Sequence, residues 1–197
     1  MENAGLKKGV LELMDYQNDY KKIYEKEKEN LLKIYKDKIK QIDHVGSTAI
    51  IGIKSKPIVD ILIQTDDLEN FKKFTEENVE GATYTVKKEP TMGGDYLIRK
   101  EEDGKVKAFI HVYKTGDMKG ITSIMFRDYL NSHEDERKRY EDLKMELYEK
   151  YKGDSNRHNY TYGKDEYIKG VIAKALEENK NGNTRTWKIF VWSKIYE

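Results

Sequence analysis

The sequence of 197 residues has no cysteine, no long apolar run and almost no net charge. The absence of cysteine excludes disulfide bonds, thiolate catalysis and cysteine-ligated zinc. No apolar run approaches the roughly 20 residues that a membrane-spanning helix needs, and the first residues lack the apolar centre of a signal peptide. These absences predict a cytoplasmic protein that has no membrane partner.

The charge balance gives no sign of a nucleic-acid partner. There are 37 basic and 36 acidic residues, so the formal net charge is +1 and no global field attracts nucleic acid. Basic clusters such as 36–40 are interleaved with acids, which is typical of a solvated helix face. Hydrophobic and charged residues each make up 37% of the chain, a balance that fits one domain with heavily charged helices. The oligomeric state stays open.

The chain does contain the hydrophobic patterns of an α+β protein, with helices at both ends and strands between them. Helical spacing covers about 15–40, 66–78, 120–131, 132–151 and 164–178, and strand patterns cover 41–45, 58–64, 83–88, 95–100 and 106–113. A brief helix is predicted over 47–53, and Asp103-Gly104 predicts a hairpin turn. Asn131 or Ser132 is expected to end one helix and cap the next.

The most informative stretch sets a turn of small residues beside a lone carboxylate. The turn is Gly46-Ser47-Thr48, and Asp60 stands within the apolar run 58–63. An ionised Asp in a buried strand is costly unless a cation or hydrogen-bond donors compensate it. We therefore predict that Asp60 is a catalytic metal ligand and that the turn holds phosphate oxygens. The simpler alternatives are an Asp bonded to a turn, and Ser47 or Thr48 acting as a helix cap.

Two histidines and four cations complete the candidate site. His44 and His111 adjoin predicted strands and are candidate metal ligands, or a general acid and base, with a hydrogen-bonded core histidine as the alternative. A site of Asp and His would favour Mn²⁺, Zn²⁺ or Fe²⁺ more than an all-oxygen site does. The candidate phosphate contacts are Lys56, Arg99, Arg127 and Lys164, each of which a surface ion pair would also explain.

The order of elements resembles the nucleotidyltransferase core of the DNA polymerase beta type. In that superfamily a Gly-Ser turn holds the terminal phosphates of the nucleotide, and carboxylates on adjacent strands hold two metal ions. Asp60 matches the first carboxylate, whereas Leu62 stands where the second is expected. Loss of that acid weakens a two-metal site.

The chain resembles more closely the GrpB family, which is placed by sequence in the nucleotidyltransferase superfamily. The matching segments lie within about 15–178, and they are 44–49 (HVGSTA), Gly52, 56–61 (KPIVDI), 110–112 (IHV), 126–130 (FRDYL) and 162–164 (YGK). The resemblance implies a nucleotidyltransferase-like mixed sheet with flanking helices and a C-terminal helical segment. We accordingly expect a core with its N-terminal helix over 1–115, a helical part of the same domain over 116–180, and a polar linker with an apolar tail over 181–197.

The resemblance also implies a function, namely metal-dependent transfer of a nucleotidyl group from a nucleoside triphosphate to an unknown acceptor. Ser47 and Thr48 would hold the β- and γ-phosphates, and Asp60 with His44 or His111 would hold Mg²⁺ or Mn²⁺. The partner would thus be a nucleotide or another phosphorylated small molecule. The alternatives are an inactive module that binds a nucleotide or a coenzyme A precursor, and a metal-dependent phosphohydrolase.

Overall fold

A mixed sheet of five strands, with helices on both faces, organises the part of the chain that the computed structural model describes, residues 4–87, 96–154 and 158–180. The strands are β1 (Gln41–Val45), β2 (Val59–Thr65), β3 (Tyr84–Lys87), β4 (Tyr96–Glu102) and β5 (Lys105–Lys114). The helices are α1 (Asp19–Tyr35), α2 (Leu68–Asn78), α3 (Met118–Ser132), α4 (Glu134–Tyr151), α5 (His158–Tyr162) and α6 (Asp165–Lys180). None of the helices in these ranges combines the length and apolar composition that a bilayer span requires.

The sheet has the order β1-β2-β5-β4-β3, in which β2 and β5 run parallel and the other neighbours antiparallel. Strand β2 is a nearly continuous apolar run because it pairs on both sides and is covered on both faces. On one face, Ile61 and Ile63 join the core formed with α1 and α2. On the other face, Leu62 packs with Ile124 of α3. Successive residues of β2 thus serve different layers of the fold.

Most predicted elements are confirmed, and the differences have local causes. The predicted helix over 15–40 begins at Asp19, because Met14 pairs with Ser55 through two backbone hydrogen bonds of 2.8 and 2.9 Å. It ends at Tyr35, where Lys36 adopts a positive φ of 51°. The short helix α5 was not predicted, and the start of the strand expected over 95–100 and the tail 181–197 lie outside the described residues.

The predicted cap between α3 and α4 is wrong. Neither Asn131 nor Ser132 caps the next helix, because His133 separates the two helices and makes no side-chain cap hydrogen bond. The side chain of Asn131 instead donates to the carbonyl of Ala49 at 3.0 Å and accepts from the amide of Ile51 at 2.9 Å. It therefore ties α3 to the segment that follows the Gly-Ser turn.

The C-terminal helices hold that same segment. The brief helix predicted over 47–53 is a single 3₁₀ turn, Ser47–Ala49, and the chain is extended at Ile50. The side chains of Ile50 and Ile53 are fully buried in a second apolar cluster made with α3, α4 and α6. Burial of these two side chains fixes the helical layer over the turn, and this layer carries several residues of the candidate site.

We expect Asp67→Ala to lower the free energy of unfolding by about 1 kcal/mol. The Asp67 carboxylate caps α2 by accepting a hydrogen bond of 3.0 Å from the amide of Asn70. Urea denaturation measures the loss. Asp66→Ala is the matched control, since the Asp66 side chain is 67% exposed and lies 3.9 Å from Lys40. Its expected change stays within about 0.5 kcal/mol, and equal losses in both variants would contradict the cap.

Candidate functional site

The carboxylate of Asp60 packs directly on the backbone of the Gly-Ser turn. Asp60 lies opposite Val45 in the antiparallel ladder, so the turn that begins at Gly46 passes beside it. A Cβ atom on Gly46 would lie 2.3 Å from Oδ2 of Asp60 and 2.9 Å from both Cβ and Cγ. Gly46 also has a φ of +70°, which favours glycine. The turn can therefore approach the carboxylate only because position 46 carries no side chain.

The two hydroxyl residues of the turn have different surroundings. Ser47 and Asp60 both act on the pKa of Tyr140 on α4, which burial raises to about 12. Thr48 is 1% exposed, and its Oγ1 lies 2.9 Å from Nε2 of His44. The Ser47 hydroxyl thus belongs to the Asp60 side of the turn, whereas the hydroxyl of Thr48, predicted to hold a phosphate, is engaged inside the protein.

The sheet separates the two predicted histidines. His44 is the neighbour of Val45, and adjacent residues of a strand point to opposite faces, so His44 lies on the α1 face while Asp60 faces the C-terminal helices. Its ring stacks on Tyr24 at a centroid distance of 4.9 Å. Burial lowers the pKa of His44 to about 4, although Asp60 opposes this shift. His44 is therefore a neutral core histidine at neutral pH.

His111, by contrast, lies beside Asp60. It pairs with Leu62 in the parallel ladder and shares the Asp60 face of the sheet, with its Nε2 3.4 Å from Oδ1 of Asp60. A carboxylate only accepts hydrogen bonds, so Nε2 carries the proton in this contact. The buried Nδ1 of His111 has no hydrogen-bond partner in the described part of the chain. His111 is thus placed to hold the Asp60 carboxylate in a fixed orientation.

Three lysines from separate elements approach the same region. Lys164 precedes α6 and is 9% exposed, and its Nζ lies 4.6 Å from the ring centroid of Tyr160. Lys56, in the loop before β2, places its Nζ 5.7 Å from the same ring. Burial, together with Lys56 and Lys144, lowers the pKa of Lys164 to about 7 against the opposing effect of Asp60. Lys164, Lys56 and Asp60 therefore interact electrostatically.

Lys144 was not among the predicted site residues. It is 1% exposed, its ammonium group donates to the carbonyl of Lys54, and burial lowers its pKa to about 7. Its Nζ lies 5.1 Å from the ring centroid of Tyr140. The available signal was spacing, because Lys144 follows Tyr140 by four residues and precedes Leu147 by three, on the buried stripe of α4.

The two predicted arginines bind other parts of the protein. Arg127 of α3 donates to the backbone carbonyl of His44 at 2.8 Å and to Asp128 at 2.7 Å. A further contact of 3.4 Å joins it to Asp43, so Arg127 ties α3 to β1. Arg99 of β4 donates to Thr85 at 3.2 Å and pairs with Glu101. None of these contacts brings Arg99 or Arg127 to the three lysines.

The side chains around Asp60 fit a single divalent cation that a bound ligand also coordinates. They fit this arrangement better than a pair of cations held by the protein alone. Among the described residues, no group of three or more His, Asp or Glu side chains could hold a metal ion. Leu62, two residues after Asp60 and on the same face of β2, is fully buried among apolar side chains. The Asp60 side chain is 31% exposed, however, and Mg²⁺ is commonly bound by one or two carboxylates plus substrate phosphates.

Comparison with known proteins gives a consistent picture. The family model described as GrpB protein matches residues 10–174. The glutamate-rich protein GrpB of Alkalihalophilus pseudofirmus is 33% identical over 85% of this chain and 97% of its own length. The UPF0157 protein YqkA of Bacillus subtilis is 30% identical over 94% of this chain, which spans about half of that protein (53%). The crystal structure of conserved protein GrpB from Enterococcus faecalis superposes with a TM-score of 0.75 at 25% identity, covering 85% of this chain and 99% of that one.

Proposed function

The chain belongs to the GrpB family, and we propose that it binds a nucleoside triphosphate with a divalent cation at the Asp60 site and transfers the nucleotidyl group to an acceptor. The observation that carries this proposal is the Asp60 carboxylate, seated on Gly46 and acting on the buried Lys164. A partly exposed carboxylate next to buried ammonium groups suits a ligand that brings both phosphate oxygens and a metal ion.

The sheet supports the same proposal. The segment that joins β1 to β2 begins with the Gly-Ser turn, Asp60 lies near the start of β2, and β5 runs parallel to β2. This order and the position of the carboxylate are those expected of a nucleotidyltransferase-like fold. We therefore propose this fold for the five-stranded sheet of the described residues.

Each site residue has a distinct part in the proposed reaction. Asp60 would hold the divalent cation, which when bound supplies Lewis-acid stabilisation of the charge on the phosphates. His111 donates a hydrogen bond to Asp60 and keeps its carboxylate oriented. Lys56 and Lys164 neutralise the negative charge that develops as pyrophosphate leaves, and the Ser47 hydroxyl contacts a phosphate oxygen.

The test begins with binding. We expect isothermal titration of the full chain with ATP, GTP, CTP and UTP to show binding of at least one triphosphate in Mg²⁺ or Mn²⁺, and binding at least tenfold weaker in EDTA. Asp60→Asn keeps the shape of the side chain, removes its charge and is expected to abolish the effect of the cation. Asp66→Asn, beyond the end of β2, is the matched control and should behave as wild type. Binding that is equal with and without cation, or none at all, would overturn the proposal.

Turnover is tested separately with α-labelled triphosphate and a small-molecule extract as the source of acceptor. The expected result is release of pyrophosphate together with label in a new product, reduced at least 100-fold in Asp60→Asn. Unchanged turnover in this variant would contradict the role of Asp60.

A second candidate function is a module that binds the nucleotide without reaction. It is favoured by the apolar Leu62 in the position of the second acid, since a lone carboxylate holds fewer cations. This candidate would replace the first if binding depends on the cation but no extract fraction gives any release of pyrophosphate.

A further inference from the structure

Lys144 and Lys164 are two buried lysines of the C-terminal helical layer, 1% and 9% exposed. Lys144 and Asp60 both act on Lys164, and the ammonium groups of Lys164 and Lys56 lie over the ring of Tyr160. Burial of an ammonium group is costly unless an anion compensates it. Two buried ammonium groups, with that of Lys56 over the same ring as that of Lys164, therefore suggest an anionic ligand with several charges.

We propose that Lys56, Lys144 and Lys164, the lysine cluster, form a subsite for a polyphosphate chain and distinguish it from a single phosphate. The inference rests on the proposed function, because it assigns the substrate class of the same site. It adds Lys144 as a specificity residue. In this proposal the ammonium groups neutralise the phosphate charge that a second metal ion would otherwise neutralise.

The geometry of the cluster supports an extended ligand. The ammonium groups of Lys56 and Lys164 lie over one ring, that of Tyr160, whereas the ammonium group of Lys144 lies over Tyr140. The two tyrosines are close enough for Tyr140 to raise the pKa of Tyr160. The positive charges are thus distributed along two neighbouring rings, which matches several phosphates in a row better than one phosphate.

Asp60 and Asp165 act on Lys164, and Glu141 acts on Lys144. Lys56 and Lys144 lower the pKa of Lys164 more than Asp60 or Asp165 raises it. Glu141, on the same helix as Lys144, raises the pKa of Lys144 against the effect of burial. His111 faces Asp60 from β5 and adds no negative charge. An arriving polyphosphate adds negative charge and favours the protonated forms of Lys144 and Lys164.

This arrangement predicts that binding is linked to protons. In the free protein, Lys144 and Lys164 titrate at about pH 7, so they are partly neutral at pH 7.5. Bound phosphates raise both pKa values, and the complex therefore takes up protons from the buffer at this pH. Affinity should decrease as the pH rises from 6.5 to 8.5, because a growing fraction of the free protein must first be protonated.

The experiment is calorimetric titration of the full chain, in saturating Mg²⁺, with ATP, ADP, AMP and tripolyphosphate. We expect affinity to increase at least 30-fold from AMP to ATP, and tripolyphosphate to bind about as well as ATP. For ATP we expect at least a tenfold loss between pH 6.5 and 8.5, and net proton uptake at pH 7.5 in buffers of different ionisation enthalpy. AMP binding as tightly as ATP, or no proton uptake, would overturn the inference.

Variants assign the effect to the cluster. Lys164→Met should weaken ATP binding at least tenfold and reduce the proton uptake, and Lys164→Arg should keep a charge that does not titrate, which flattens the pH profile. If the substitutions of the buried Lys164 prevent folding, Lys56→Met is measured in their place, because Lys56 lies in a loop. Lys169→Met is the matched control, because that side chain is 71% exposed and pairs with Glu166 at 2.8 Å. Equal behaviour of Lys56→Met, Lys164→Met and this control would also overturn the inference.

The outcomes separate the two proposals. If pyrophosphate is released but the affinity does not increase from AMP to ATP, the lysine subsite is ruled out and the proposal of nucleotidyl transfer remains. If the affinity increases from AMP to ATP and protons are taken up but no turnover is detected, the subsite remains and the binding module is favoured.

Discussion

Gly46→Ala is expected to lower the free energy of unfolding by about 3 kcal/mol and to abolish binding at the Asp60 site. The added Cβ would meet Oδ2 of Asp60 at 2.3 Å, so either the turn or the carboxylate must move. The φ of +70° adds strain of about 1 kcal/mol, since an alanine rarely adopts it. Urea denaturation measures the loss of stability, and titration with a triphosphate measures the loss of binding.

Gly52→Ala separates the two causes. Gly52 also has a positive φ, of +84°, but no atom of the described residues lies within 4 Å of an added Cβ. We expect only the backbone strain there, about 1 kcal/mol, and no direct clash at the carboxylate. In the double variant Gly46→Ala/Asp60→Ala, loss of the carboxylate should recover part of the stability lost in Gly46→Ala. Equal losses at Gly46 and Gly52 would show that the contact with Asp60 contributes nothing.

The second large effect is a difference in pH dependence between the wild-type protein and Lys144→Met. Lys144 has a pKa of about 7 in the folded protein, against an ordinary value of 10.5. Between these values the unfolded chain binds a proton that the folded protein releases, so stability increases with pH. The contribution of Lys144 is about 1.4 kcal/mol per pH unit between pH 7.5 and 9.5. Below pH 7 both states are protonated and the slope disappears.

Urea denaturation at pH 7.5, 8.5 and 9.5 checks this expectation. The free energy of unfolding of Lys144→Met should rise less steeply with pH than that of the wild type, because methionine fills the space without a titratable group. Lys138→Met on the same helix is the control, since Lys138 is exposed. Its curve should stay parallel to that of the wild type. Parallel curves for all three proteins would mean that Lys144 is charged in the folded state.

The pattern of apolar residues was sufficient to predict most elements of the fold. Strands β1, β2 and β5 were predicted within one or two residues, because burial on a sheet leaves a continuous or alternating apolar signal. The start of α2 was predicted from Asp66 or Asp67, and Asp67 is the residue that caps it. Helix α5 was missed, because five residues are too few for a helical period to emerge.

The candidate site was predictable only where its members are close in sequence or on paired strands. Gly46 and Asp60 were expected to meet, since the chain between them returns along a neighbouring strand, and they do. His44 stands two residues before Gly46, but it lies on the other face of the sheet because side chains alternate along a strand. Residue type alone could not distinguish Lys144, which is buried, from the solvated lysines of the same helix.

By itself, the sequence determined the succession of helices and strands, the family, and the pairing of a small turn with a lone carboxylate. These features depend on local spacing and on neighbours along the chain. The tertiary structure alone decided which side chains approach Asp60: His111 rather than His44, and Lys164 of the C-terminal layer, whereas Arg99 and Arg127 pair with other groups. The physical reason is that burial and the choice of ion-pair partner depend on packing between distant segments, and the packing of Ile50 and Ile53 against α3, α4 and α6 brings that layer over the turn.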